Sequence, residues 1–492
     1  MFYQSTRDSA LTATGTQAIL QGIAPDGGLY VPAGGELPRL DVGALCAMET
    51  QEMAAAIMGA LLPEFSEAEM KQLVRNAYAG RFETEALTPT VPVGSDYILE
   101  LFRGPTSAFK DVALCMLPQF ITASRVHQNV TDEIVILTAT SGDTGKAALE
   151  GFRDVPGTRI LVFYPEEGVS RIQKAQMTTQ QGSNVTVCAI RGNFDDAQTG
   201  VKTVFRACTE QGLLDGKPVR LSSANSINIG RLIPQTVYYF KAYADVVRSG
   251  RIAMGEPLDF VVPTGNFGDI LAGYFAKQMG LPVGTLVCAS NENDVLTEFL
   301  RTGRYDRNRP FHKTISPSMD ILVSSNLERL LYFAGKDEAL VKRLMTELSE
   351  TGSYQIPEAM FQKISGEFWA GCCSEAGTKD TIRRVWEDHG YLMDTHTAVA
   401  WNVAEQYRAA TGGDRPLVVL STASAYKFPA AVLEALGEVP DVDEFVTMDR
   451  LAEKTGVPVP SNLRGLRERS VLHKDVIDRE QILDYVLKKT GE

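Results

Sequence analysis

From about residue 130 onward, short apolar, β-rich runs alternate with segments of helical length. The runs are Ile134-Val135-Ile136-Leu137, residues 159–164, residues 185–190, Phe260-Val261-Val262, Leu286-Val287-Cys288 and residues 417–420. This rhythm predicts βα units and an α/β fold of mostly parallel sheets flanked by helices. In such sheets ligands gather at the loops beyond the carboxyl ends of the strands. The segments to examine for chemistry are therefore those that directly follow an apolar run.

A chain of 492 residues is too long for one small core, so two or three domains are expected. Residues 1–88 read as helices with loops, with helical patterns at 49–58 and at 66–79, the second opening on Ser66 as a cap. Residues 326–390 read as a mainly helical insertion, and the segment from about 440 as charged and helical. The net charge of −13, without a long basic run, argues against a nucleic-acid partner. Any anionic ligand has to be met by a local cluster of donors. No apolar stretch has the length of a membrane span, and the first residues lack a basic region followed by an apolar one. The seven cysteines are scattered, several in apolar runs (Cys115, Cys188, Cys288), and neither they nor the five histidines show metal-ligand spacing. No membrane partner, no metal and a cytoplasmic location are the expectations.

Five clusters carry candidate chemistry. The run Phe102-Arg103-Gly104-Pro105-Thr106-Ser107-Ala108-Phe109-Lys110-Asp111 puts one lysine in a turn of small residues before an apolar stretch. A lysine held still and desolvated there suits a Schiff base with an aldehyde cofactor; otherwise it is a surface lysine at a helix start. Thr140-Ser141-Gly142-Asp143-Thr144-Gly145 follows an apolar run and opens a helix. It offers hydroxyls and amides to a carboxylate or phosphate, or simply caps the helix. Gly265-Asn266-Phe267-Gly268-Asp269 lets backbone approach an anion closely, with a tight strand–helix turn as the alternative. Asn225-Ser226-Ile227-Asn228-Ile229-Gly230-Arg231 brings amides, hydroxyls and a guanidinium together, as a phosphate pocket or a polar cap. Thr422, after the last apolar run, can offer a hydroxyl to a cofactor ring nitrogen or cap a helix. His396 reads as a structural capping histidine rather than a base.

In this order the segments, with Gly22-Ile23-Ala24-Pro25-Asp26-Gly27-Gly28-Leu29-Tyr30-Val31-Pro32 before them, resemble the threonine synthase family. That family consists of fold type II enzymes dependent on pyridoxal 5'-phosphate (PLP). The resemblance implies two core domains behind an N-terminal helical domain. The implied division is an N-terminal family domain at 1–88, a two-lobed PLP-binding catalytic core at 89–440 and a C-terminal helical segment at 441–492. It implies a carbon–oxygen lyase acting on phosphates, which converts O-phospho-L-homoserine and water to L-threonine and phosphate, the last step of threonine biosynthesis. The alternative is a PLP-dependent phospholyase on another phosphorylated amino compound. By the resemblance, Lys110 is the Schiff-base lysine; Gly265, Asn266, Phe267, Gly268 and Asp269 hold the cofactor phosphate; Thr422 faces the pyridine nitrogen; and Asp143 lies near the ring's phenolic oxygen. Thr140, Ser141 and Thr144 meet the substrate carboxylate, and Asn225, Ser226 and Arg231 its phosphate. A monomer or homodimer is expected. Two departures stand out. Ser424 stands where many family members carry the histidine of a T-A-H-x-x-K-F pattern, and Asp143 occupies a slot that is asparagine in some relatives, which predicts repulsion from a phenolate unless the carboxyl is protonated or turned away.

Overall fold

The apolar runs become the strands of two parallel sheets in the structure, a computed structural model that describes residues 1–140, 142–167 and 169–491. The larger sheet has six strands in the spatial order Phe368–Cys372, Val283–Ser290, Leu258–Pro263, Leu417–Ser421, Asp96–Glu100, Thr90–Val93. Neighbours run parallel except the edge strand Thr90–Val93, which turns back antiparallel. The smaller sheet has five parallel strands in the order Asp475–Asp478, Val185–Arg191, Thr158–Pro165, Glu133–Ala139, Val219–Ser223. Every residue of Leu258–Pro263 and of Leu417–Ser421 is buried. Strands covered on both faces have no solvent side to mark with polar residues, so they read as unbroken apolar runs.

The helix Lys110–His127 joins the two sheets. It follows strand Asp96–Glu100 of the larger sheet and leads into Glu133–Ala139 of the smaller one. It packs closely on the helix Asp143–Phe152, where a Cβ on Gly151 would stand 1.9 Å from the Leu114 carbonyl oxygen. Only glycine permits that approach. It sets the spacing between two helices whose first residues are Lys110 and Asp143.

The order of the strands explains why the five clusters converge. In the larger sheet, Leu258–Pro263, Leu417–Ser421 and Asp96–Glu100 are consecutive neighbours. Their carboxyl ends lead to the 265–269 loop, to Thr422 and to the Lys110 turn. In the smaller sheet, Glu133–Ala139 pairs directly with Val219–Ser223, and their ends lead to the 140–145 loop and to Asn225.

Three segments depart from the expected organisation. The region 1–88 contains the predicted helices, Thr50–Leu61 and Glu67–Tyr78, and Ser66 caps the second by accepting the Glu69 N–H. It also contains an antiparallel sheet of Thr12–Thr14, Phe2–Ser5 and Tyr30–Pro32, which a reading of helices with loops lacks. Strands of three or four residues are too short to display a period. Between 326 and 390 the helices Leu327–Gly335, Glu338–Thr351, Glu358–Ser365 and Glu375–His389 are present, but Phe368–Cys372 is the edge strand of the larger sheet. The segment after 440 is helical at Glu444–Thr455 and Ile482–Gly491, yet Asp475–Asp478 completes the smaller sheet. That strand is short, charged and at an edge, the character expected of a strand that must not recruit another chain. Among the described residues no helix is long and apolar enough to cross a membrane.

Candidate active site

The Lys110 turn is fastened on both sides. The Phe109 N–H donates to the Thr422 carbonyl at 2.9 Å, and the Ser424 N–H to the Ser107 carbonyl at 3.2 Å. Asp111 closes the turn from within, accepting the Thr106 N–H at 2.8 Å and the Thr106 hydroxyl at 2.5 Å. Ser107 holds a left-handed backbone with φ 59°, and Phe267, before the helix Gly268–Gln278, holds the same φ. Bulky or branched side chains rarely adopt that conformation, and such outliers concentrate at functional sites. Lys110 is 9% exposed, with Nζ 4.6 Å from the Phe109 ring centroid. Burial lowers its amine to about 8; Asp143 opposes the shift, while Lys427 and Arg231 reinforce it. Both cations act on Lys110 through space and make its protonation harder.

Asp143 is not repelled from this site. Its Oδ1 pairs with Lys427 Nζ at 2.5 Å, its Oδ2 stands 3.8 Å from Lys110 Nζ, and Gln173 Nε2 donates to it at 2.7 Å. Burial pushes the carboxyl up, but Lys427 and Lys110 outweigh it and hold the group well below the usual carboxylate range. The carboxyl is thus ionised, with Lys427 as its buried counter-cation. Lys427 is fully buried and also donates to the Thr106 carbonyl at 3.3 Å.

The 265–269 loop forms a cradle of amides. Ser324 Oγ donates to the Gly265 carbonyl at 2.9 Å, and Asn326 donates to the Asn266 carbonyl through its N–H at 3.1 Å and its side chain at 3.0 Å. A trans peptide sets each N–H opposite its carbonyl, so the amides of Asn266 and Phe267 point the other way. Among the described residues, the amides of Asn266, Phe267 and Gly268 donate to no backbone carbonyl. Together with the start of a helix they offer donors and partial positive charge to an anion. Gly265 is required by space: a Cβ there would meet the Ser318 carbonyl oxygen at 2.4 Å. These features fit the phosphate of PLP. Asp269 does not share that task through its side chain. Its Oδ1 accepts the hydroxyls of Tyr238 at 2.5 Å and Tyr239 at 3.1 Å, and burial raises its carboxyl to about 6. A carboxylate aimed at a phosphate would repel it; here it faces two tyrosines.

Arg231 is the second anion anchor. It is 3% exposed, donates Nη1 to the Ala224 carbonyl at 2.8 Å, and leaves Nε buried without a partner. No carboxylate pairs with it among the described residues, and burial lowers its guanidinium to about 10. Asn228 caps its helix by accepting the Gly230 N–H and donates to the Ile19 carbonyl at 3.0 Å, tying this loop to the N-terminal region. Ser226 lies beside the cradle, since a Cβ on Gly268 would stand 3.8 Å from Ser226 Cβ. Thr140 Oγ1 accepts the N–H groups of Gly142 and Gly145, each at 2.9 Å, and so shapes the turn. Thr144 lies in the first turn of the helix Asp143–Phe152. Ser141 lies outside the described residues. Thr422 is buried at the strand end beside the Lys110 turn.

Sequence reasoning did not assign roles to Lys427, Gln173, Ser324 and Asn326. The lysine was visible in the K-F pair of the Thr422 segment; the other three carry no local signal. His396 is structural: Nδ1 is 2.7 Å from Asp394, the cap of the helix Thr395–Thr411, and Nε2 accepts the Ser318 N–H at 3.1 Å. Ser424 caps a short turn by accepting the Tyr426 N–H. Among the described residues no group of three or more His, Cys, Asp or Glu side chains could hold a metal ion.

A buried amine on the helix that joins the two sheets and a glycine-bounded amide cradle fit a PLP-dependent enzyme, and the family model for pyridoxal-phosphate dependent enzymes matches residues 92–423. Models for the threonine synthase N terminus and the threonine synthase C-terminal region match residues 2–78 and 397–482. The chain belongs to the threonine synthase family. It is 39% identical to threonine synthase of Pseudomonas aeruginosa over 450 residues, covering 89% of this chain and 92% of that protein. It is 40% identical over 443 residues to Threonine synthase-like 1 of Homo sapiens, covering 87% of this chain but only 58% of that longer protein. The solved structure of PLP-bound threonine synthase from Brucella melitensis superposes with a TM-score of 0.87 at 39% identity, over 100% of this chain and 98% of that one.

Proposed function

We propose that this chain converts O-phospho-L-homoserine and water to L-threonine and phosphate, with PLP as cofactor. The observation that carries this reading is Arg231, a buried cation without a carboxylate partner among the described residues, whose charge acts on Lys110. A buried charge is costly unless an opposite charge meets it. An enzyme whose cofactor phosphate sits in the cradle needs this second anion anchor only if its substrate also carries an anion there.

In this reading Lys110 holds the cofactor's aldehyde carbon, the amides of Gly265, Asn266, Phe267, Gly268 and Asp269 take its phosphate, and the Thr422 hydroxyl meets its ring nitrogen. PLP, when bound, supplies an electron sink for the substrate's Cα and Cβ. Lys110 Nζ, released to the incoming amino group, takes the proton from Cα and then serves Cβ. Its lowered affinity for protons lets it work near neutral pH. Thr140, Ser141 and Thr144 orient the substrate carboxylate. Asn225, Ser226 and Arg231 grip its phosphate and stabilise the charge of the departing group. Asp143, neutralised by Lys427, keeps the ring's oxygen side at a fixed charge.

The test is turnover of phosphohomoserine by the purified protein with PLP, scored for phosphate release and L-threonine together. Equal amounts of both are expected. A keto product with ammonia and no threonine overturns the proposal, and preferential turnover of phosphoethanolamine points to a phospholyase instead. Arg231→Ala should raise KM for phosphohomoserine by roughly 10–100-fold, the loss of a charge-assisted pair of about 1.5–3 kcal/mol. An unchanged KM removes Arg231 from the substrate site.

Cofactor uptake should depend on pH in a set direction. Only the neutral amine adds to an aldehyde, and burial holds Lys110 near about 8 rather than the ordinary lysine value. Reconstitution of the apoprotein should therefore speed up about tenfold per pH unit below that value and level off above it. A stopped-flow pH series following absorbance checks this; a rate still climbing at pH 10 contradicts it. The seven unpaired thiols fit a reducing, cytoplasmic setting, and a monomer or homodimer is the expected assembly.

A further inference from the structure

Beside the Lys110 turn, with Pro105 in its wall, lies a largely polar cavity of about 190 Å³. Lys146, Glu150, Arg153 and Arg469 line it, with Gln176 and Asn462. None of these residues has a part in the reaction described above. Three of the four charged groups are cations, and the one carboxylate is already committed. Glu150 accepts from Arg153 at 3.3 Å, Lys146 at 3.4 Å and Gln180 Nε2 at 3.1 Å. Lys146 is 7% exposed. The Arg469 guanidinium makes no hydrogen bond or ion pair among the described residues, yet its charge acts on Lys146, adding to the burial that lowers that amine. A chain with a net charge of −13 thus keeps an excess of positive charge around one enclosed polar space. Lys146, which also donates to Gln180, is buried at the base, while Arg153 and Arg469 reach solvent at the rim, so an anion entering from outside meets positive charge from both levels.

We propose that this cavity binds a small oxyanion, a phosphate or carboxylate group held between Lys146 and Arg469. Its occupant is coupled to the Lys110 turn through two side chains that the cavity and the turn share. Gln176 Nε2 donates to the Thr106 carbonyl at 3.3 Å. Asn462 donates to the Gly104 carbonyl at 3.1 Å and accepts the Ser107 hydroxyl at 2.9 Å. Gly104, Thr106 and Ser107 belong to the turn that carries Lys110, so an anion drawing on Gln176 or Asn462 acts on the placement of that amine. Coupling of this kind is reciprocal between the two sites.

The test is equilibrium dialysis of the PLP-loaded protein against labelled inorganic phosphate; it leans on the proposed function only in assigning Arg231 to a separate phosphate site. Wild type should bind two phosphates per chain, and Arg231→Ala and Arg469→Ala one each. Arg469 is exposed, so its replacement leaves the fold intact. Lys146→Met, a second variant of similar shape, should weaken the same binding event at least about tenfold in Kd. Acetate competing at the Arg469-dependent site assigns it to carboxylates, and failure to compete assigns it to phosphates; both results keep the oxyanion site. A single phosphate that depends on Arg231 and ignores Arg469 overturns the cavity proposal. A single phosphate that depends on Arg469 and ignores Arg231 upholds it and removes Arg231 from the substrate site.

Discussion

Lys110→Ala should reduce phosphate release from phosphohomoserine by about 10⁴-fold or more, because in the proposed mechanism one side chain supplies both the covalent hold on the cofactor and the base that serves the substrate carbons. The visible absorbance of the lysine-bound cofactor should vanish with it. Stability should hardly move. Lys110 is buried at a cost, its nearest carboxylate oxygen is 3.8 Å away, and Asp143 keeps a closer partner in Lys427. Removing the amine therefore leaves no orphaned charge. Thermal unfolding of variant and wild type, both without PLP, checks this half of the prediction, and single-turnover phosphate release checks the other. Near-normal turnover would remove Lys110 from the centre of the site. A collapse in stability would mean that its charge is needed to balance Asp143, and that Lys427 alone does not suffice.

Part of the candidate site was legible in the sequence because the 140–145, 265–269 and Thr422 segments each follow a mostly buried apolar strand, whereas Asn225–Arg231 follows the half-exposed, polar strand Val219–Ser223. Strand ends of one parallel sheet share an edge, so the runs at 260–262 and 417–420 place Gly265 and Thr422 side by side, while the run at 134–137 belongs to the other sheet and its loop joins them only through the packing of the two sheets. What stayed hidden depended on which strands are neighbours. The pairing of Leu417–Ser421 with Asp96–Glu100 brings Lys427 under the Lys110 turn and onto Asp143, and no local pattern announces it. For this reason Asp143 looked electrostatically misplaced in the sequence. Asp269 was grouped with the phosphate loop by adjacency, but its side chain points back at Tyr238 and Tyr239, on the helix Gln235–Arg248, a contact set by helix packing. The strand Asp475–Asp478 was missed for a different reason. It is an exposed edge of four residues, and it lacks the apolar signature that buried strands carry.

Lys427→Met should destabilise the protein by about 3–5 kcal/mol near neutral pH, the range for breaking a buried ion pair from one side. The lysine is fully buried, and its loss leaves Asp143 ionised in an apolar setting with only Lys110 at 3.8 Å and Gln173 to meet it. The pH dependence gives the mechanism a sign. In the wild type the Asp143 carboxyl is held below its unfolded value. Its contribution to stability is therefore complete above the unfolded aspartate value of about 3.9 and is lost as pH falls through the lower folded value. Lys427→Met removes the strongest of the interactions that lower the carboxyl and leaves burial opposed only by Lys110 and Gln173, so the variant's deficit relative to wild type should shrink as pH falls toward 5. Urea unfolding at pH 7 and pH 5 reads the difference. Lys427→Met combined with Asp143→Asn removes both charges and should recover most of the loss at pH 7, since two neutral groups of similar shape carry no uncompensated charge. Simple addition of the two single-variant effects would show that the pair is not coupled. Asp143 would then have to be balanced from elsewhere, with Lys110 the nearest candidate, and the amine that serves the substrate would also be the one that neutralises the site.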